Sequence, residues 1–143
     1  MICFDWMEFF RFAQKSLDEM RDVKKIAVEQ ESICRIAISR AYYAAFHTAR
    51  NFLLELNPDF TGGIWEGTHQ AVIKAFTQSD DRYCRQIGRE LSQLKSKRVR
   101  ADYVSQSYPQ RGEAGNVVAE LQGALFLAEK IFGIIDKART KNP

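Results

Sequence analysis

Apolar residues return every three or four positions along almost the whole chain, which is the period of a helix with one buried face. From Trp6 the pattern runs through Phe9, Phe10, Ala13, Leu17 and Met20, with Val23 and Ile26 behind, and acids and bases fill the positions between. That arrangement predicts an amphipathic helix. A second helix is expected from Glu31 to Leu56, rich in alanine on its inner side. Asn57-Pro58-Asp59 stops it, because a proline disfavours helical backbone at the residue before it. Thr61-Gly62-Gly63 and Gly67 mark a loop, after which Thr68 is placed to cap a shorter helix carrying Ala71, Val72, Ala75 and Phe76. Ser79-Asp80-Asp81 is another helix start, with acids where the positive end of the helix dipole favours them. Its stripe is Tyr83, Ile87, Leu91, Leu94 and Arg98, and Ser107-Tyr108-Pro109 breaks the pattern. The last helix is the most regular, with Ala114, Val117, Val118, Leu121, Ala124, Leu125, Ala128, Ile131, Phe132 and Ile135. No segment alternates as a strand would. The expected fold class is all-α, an antiparallel up-and-down bundle of four to five helices in a single domain spanning 1–143.

Composition adds constraints to this picture. A chain of 143 residues, 45% apolar and 27% charged, can bury a core of its own and is neither disordered nor membranous in character. No apolar stretch approaches the roughly 20 residues that cross a bilayer. The opening Met1-Ile2-Cys3-Phe4-Asp5-Trp6-Met7-Glu8 has neither a basic leader nor a small-residue cleavage site, so no signal peptide is expected. Cys3, Cys34 and Cys84 are odd in number and far apart, which fits reduced thiols and a cytoplasmic location better than disulfides or a zinc knuckle. A net charge of +3 does not by itself argue for nucleic acid. The charge is concentrated, however. Between Asp81 and Arg100 seven bases (Arg82, Arg85, Arg89, Lys95, Lys97, Arg98 and Arg100) face two acids, Asp81 and Glu90. Such a run either tracks phosphates or is a solvated helix face answering acids elsewhere.

Two stretches carry chemistry. The first is Ser39-Arg40-Ala41-Tyr42-Tyr43-Ala44-Ala45-Phe46-His47-Thr48-Ala49-Arg50, in the middle of the second helix. Arginine, tyrosine and histidine are costly there unless their polar ends find partners, while the alanines let another helix approach closely. The second is Leu94-Lys95-Ser96-Lys97-Arg98-Val99-Arg100-Ala101-Asp102-Tyr103. Its Arg98 lies on the apolar stripe and should point into a cleft or interface, where Asp102 is placed to hold it by a charge-assisted hydrogen bond.

In order and spacing these stretches, with Thr68-His69-Gln70-Ala71-Val72-Ile73-Lys74-Ala75-Phe76 between them, resemble the HEPN family from about residue 5 to about residue 137. The likeness is to its bacterial and archaeal branch, with a Tyr-Tyr-Ala second helix and an Arg-x-x-Ala-Asp-Tyr ending, here Arg98 to Tyr103. The resemblance implies a helical homodimer with a shared cleft and no cofactor. It also implies a component of a toxin–antitoxin or stress-defence pair whose partner is a minimal nucleotidyltransferase, with RNA or a nucleotide as ligand. Many members are metal-independent ribonucleases in which an arginine stabilises phosphate charge and a histidine a few residues later activates the 2′-hydroxyl. Arg98 matches the arginine, and Tyr103 stands where the histidine would be. An unperturbed tyrosine, with a pKa near 10, is a poor base at neutral pH.

The candidate catalytic pair is therefore Arg98 and Tyr103. The candidate cleft set is Arg40, Tyr43, His47, His69, Arg98, Asp102 and Tyr103. Each admits a plainer role. His47 reads first as a hydrogen-bonded interface or boundary residue, and His69 as a half-exposed residue of a first helical turn. Tyr42 and Tyr43, about 100° apart on a helix, serve packing unless one faces the cleft. Phe4, Trp6, Phe9, Phe10 and Phe12 are denser than one amphipathic face requires, which hints at a partner surface. Glu66-Gly67-Thr68-His69 has the Glu-x-x-His spacing of di-iron bundles but lacks a second such pair, so no metal site is expected. Besides the binding component, the alternatives are an RNA endonuclease and a non-catalytic helical adaptor.

Overall fold

The computed structural model describes residues 4–22, 27–61, 68–104 and 117–141. The helical periods become α1 (Met7–Asp22), α2 (Ala27–Leu56), α3 (Thr68–Thr77), α4 (Arg82–Tyr103) and α5 (Val117–Lys141), packed as a bundle with no strand among the described residues. α2 starts at Ala27, four residues before the expected Glu31. Nothing in this turn opposes a helix, and Glu29 puts an acid near the positive end of the dipole. α5 begins at Val117, and Thr68 is the first residue of α3. Val23, Ile26, Ala114 and the Ser107-Tyr108-Pro109 break lie outside the described residues, as do Cys3 and Glu66-Gly67.

α2 is the axis of the bundle and touches every other helix. The reason lies in its side chains. Ala37, Ala41, Ala44, Ala45 and Ala49 are all fully buried, and their small size lets neighbouring helices approach from several directions. α5 lays Leu121, Ala124, Ala128, Ile131 and Ile135 into the same core, and α4 adds Ile87, Leu91 and Leu94. α3 packs mainly on α4. The contact is close: a Cβ on Gly88 would lie 2.6 Å from Thr77 Cγ2 and 2.8 Å from the Thr77 backbone nitrogen. Only a glycine fits between the two helices there.

Both ends of α4 are fastened by side chains. Asp81 Oδ1 accepts from the backbone N–H groups of Tyr83 at 2.8 Å and Cys84 at 3.0 Å, as an N-cap carboxylate should. At the other end Arg35 of α2 donates to the Ala101 carbonyl at 3.0 Å, and Glu31 holds the same guanidinium at 2.9 Å. This satisfies a carbonyl that the last helical turn leaves without an intrahelical partner. It also ties the first half of α2 to the segment of α4 that carries Arg98 and Asp102. Cys34 and Cys84 are buried free thiols, and burial pushes the Cys34 thiol up to about 11. No helix among the described residues is long and apolar enough to cross a membrane.

Candidate functional site

Arg98 follows Leu94 by one helical turn, so the stripe that buries Leu94 also carries the arginine inward. Its side chain is only 11% exposed. The guanidinium carbon sits 5.2 Å from the centre of the Tyr42 ring and 5.6 Å from that of Tyr43, where the ring quadrupoles attract a cation. Nη1 donates to Asp102 at 3.3 Å. Nε is buried and has no hydrogen-bond partner among the described residues. Burial works against the Arg98 charge, but Asp102 and the two tyrosines more than offset it, so the guanidinium stays charged.

Tyr42 is fully buried, and its hydroxyl reaches across to α3, 2.7 Å from His69 Nδ1. Burial raises the Tyr42 hydroxyl well above its ordinary pKa, against a smaller opposing pull from the Arg98 charge. The His69 ring stacks on Phe46 with centroids 4.1 Å apart. Its imidazole titrates below the usual range, first because it is partly desolvated and then because Arg98 and Lys95 repel a further positive charge. His69 is therefore neutral at pH 7.

The cluster continues on the other side of Tyr43. Arg40 lies 5.0 Å from the Tyr43 ring centre and 4.7 Å from that of Phe9, bridging α2 to α1. His47 lies flat on Trp6, with centroids 3.5 Å apart and planes within 11°. Phe9, Arg40, Tyr43, Arg98 and Tyr42 thus form a ladder in which aromatic rings alternate with cations, and the neutral His69 ring ends it. Beside it, an open groove of about 540 Å³ runs between α2 and α4, lined by Arg35, Ile36, Ser39, Arg40, Ala101 and Asp102. Asp102 faces both this groove and Arg98.

Six of the seven expected cleft residues thus belong to, or border, one assembly: Arg40, Tyr43, His47, His69, Arg98 and Asp102. Tyr103 differs. It is the last residue of α4, 73% exposed, and among the described residues it makes no ring contact or hydrogen bond with the ladder. Within the chain the described contacts of Arg98 are with Asp102, Tyr42 and Tyr43, and not with Tyr103. Tyr42, left outside the cleft set, is the residue that links Arg98 to His69. The spacing showed only that at most one of two neighbouring tyrosines can face the cleft fully. The role of Phe9 and Trp6 was visible only as an excess of aromatic residues near the start of the chain.

The basic run of α4 is largely answered within the fold. Lys97 and Arg100 both approach the buried Glu120 of α5, at 3.3 and 3.7 Å. Arg85 donates to the backbone carbonyls of Ser79 and Asp80, at 3.0 and 2.7 Å. Glu90 is buried against Lys130 at 2.9 Å. Among the described residues Arg89 and Lys95 have no acidic partner. No group of three or more His, Cys, Asp or Glu side chains among the described residues is placed to hold a metal ion.

Compared with protein-family models, curated proteins and solved structures, the chain matches none.

Proposed function

We propose that this protein is a HEPN-type homodimer that binds phosphate groups of RNA or a nucleotide at a cleft built on Arg98. In this reading it is the binding component of a toxin–antitoxin or stress-defence pair with a minimal nucleotidyltransferase. One observation carries the proposal: a permanent cation is held almost out of solvent against two tyrosine faces, with Asp102 on one nitrogen and Nε unpaired. A buried donor without a partner costs on the order of 1–3 kcal/mol, and a phosphate oxygen at the mouth of the cluster would relieve that cost. An arginine fork suits this ligand, since planar paired donors match phosphate geometry. Arg40 and the α2–α4 groove supply a second cation and room for the rest of the ligand.

A second reading, metal-independent RNA cleavage, is favoured by the neutrality of His69 beside Arg98. It would assign the base to α3 instead of Tyr103. In the third, the adaptor, Arg98 and Asp102 only pair within the bundle. Titration of the protein with a short single-stranded RNA and with adenosine monophosphate separates these. Binding that weakens at least ten-fold in Arg98→Ala, and weakens with rising salt, supports the proposal. No binding by the wild type at low salt favours the adaptor. RNA fragments ending in 2′,3′-cyclic phosphate, formed without divalent metal and lost in Arg98→Ala, would establish the nuclease. Sedimentation tests the shared cleft, which requires a dimer at micromolar concentration.

A further inference from the structure

Two atoms within hydrogen-bond distance, Tyr42 Oη and His69 Nδ1, leave open which of them holds the proton between them. The surroundings decide it. If Nδ1 carried the proton and donated to Tyr42, the tyrosine's own hydrogen would need another acceptor. Among the described residues Tyr42 Oη has no hydrogen-bond partner other than His69 Nδ1, and the Arg98 guanidinium beside the Tyr42 ring is positively charged and has no acceptor to offer. The nearby positive charge of Arg98 favours the oxygen end of the hydroxyl dipole and so turns the hydroxyl hydrogen away from itself, toward His69 Nδ1. Ionised tyrosine is no alternative, because burial opposes that charge more strongly than Arg98 favours it. The proton order is therefore Tyr42 O–H, then an unprotonated Nδ1. A neutral imidazole accepting at Nδ1 must carry its hydrogen at Nε2. Nε2 has no hydrogen-bond partner among the described residues, yet it is not a buried orphan in the way Arg98 Nε is.

We infer that Arg98 and Tyr42 lock His69 as its Nε2–H tautomer, so that His69 is a neutral hydrogen-bond donor to a phosphate oxygen of the ligand and not the base of a nuclease. The ligand half of this inference rests on the phosphate-binding reading; the tautomer half stands on the free protein. Tyr42, out of reach of any ligand, is a positioning residue. The donor is set because the ring nitrogen that faces away from Tyr42 already holds its proton and has no lone pair to accept one. Neutrality also has a use here. A second full charge beside Arg98 would be repelled, whereas an N–H dipole adds a phosphate contact without it.

Nitrogen-15 histidine correlation spectra of the unliganded protein at neutral pH should show His69 protonated at Nε2 alone. Tyr42→Phe should lose this signature, giving a mixture of tautomers in a protein that remains folded. A wild-type spectrum with the proton on Nδ1 overturns the inference and leaves phosphate binding by Arg98 intact. In titrations with adenosine monophosphate and with a short single-stranded RNA, His69→Ala should weaken binding about ten-fold. His69→Gln, whose amide places an N–H near the Nε2 position but cannot act as a base, should retain most of the affinity. A loss confined to one probe assigns the phosphate to that ligand class. If His69→Ala binds both probes like wild type, or if the wild type binds neither, the donor role is overturned. The second of these results also removes the phosphate-binding reading; the first does not. Metal-independent cleavage that survives in His69→Gln leaves the donor role standing, whereas cleavage lost in that variant overturns it.

Discussion

His47 lies flat against Trp6, and loss of solvent, followed by the charges of Arg50 and His69, brings its imidazole down to about 4. In the unfolded chain the same group returns to its ordinary value of 6.5. The depressed folded value means that neutral His47 stabilises the fold above pH 6.5, and that this contribution drains away as the pH falls from 6.5 towards 4. After allowance for partial exposure it amounts to about 1–2 kcal/mol. His69, also depressed, loses stability in the same direction. Urea midpoints measured from pH 7 to pH 4 should therefore fall, and His47→Phe, which keeps a ring on Trp6 but cannot titrate, should flatten the decline. An unchanged slope in that variant would place the pH dependence elsewhere. At this scale the sequence was legible in part. Arg98 could be placed under the surface because helical period assigns a face. The hydrogen bond between Tyr42 and His69 could not, because it joins atoms 27 residues apart across a loop, and periodicity does not say which polar tip meets which.

The cap and the close approach at the α3–α4 corner show what each element depends on. Asp81→Ala removes a carboxylate that satisfies two backbone N–H groups and also meets Lys141 at 3.3 Å. It should cost about 1–2 kcal/mol in urea unfolding. Glycine has opposite meanings in α4 and α5. Gly88→Ala drives a methyl into Thr77 and should destabilise by about 1–3 kcal/mol. Gly133→Ala meets nothing within 4 Å on an exposed helical face, and should stabilise by about 0.5–1 kcal/mol. Equal effects of the two substitutions would show that α3 does not press on α4 as described. The start of α4 was readable from Ser79-Asp80-Asp81 because capping is local chemistry. The start of α2 was not. Its first turn has no cap signature, so the apolar pattern alone placed the start too late.

Taken whole, the five helices were foreseeable because each has an apolar stripe that must be covered, and covering five stripes makes a bundle. What the stripes left open is how the charges would be answered. The basic run of α4 reads in one dimension as a surplus, but Glu120 arrives from α5 to take Lys97 and Arg100. Only Arg98 among those cations is drawn into the aromatic ladder. The corner between α3 and α4 has a kinetic meaning as well. Residues 78–81 alone separate the two helices, whereas α2 and α5 meet only after a long intervening stretch of chain has been ordered. Closing a short loop costs less entropy, so this hairpin is where folding can start. Chevron plots should then show Gly88→Ala and Asp81→Ala mainly slowing folding, while Ile131→Val in α5 mainly speeds unfolding. The glycine that lets α3 and α4 touch would thus set how quickly His69 and Arg98, carried on those two helices, first come near each other.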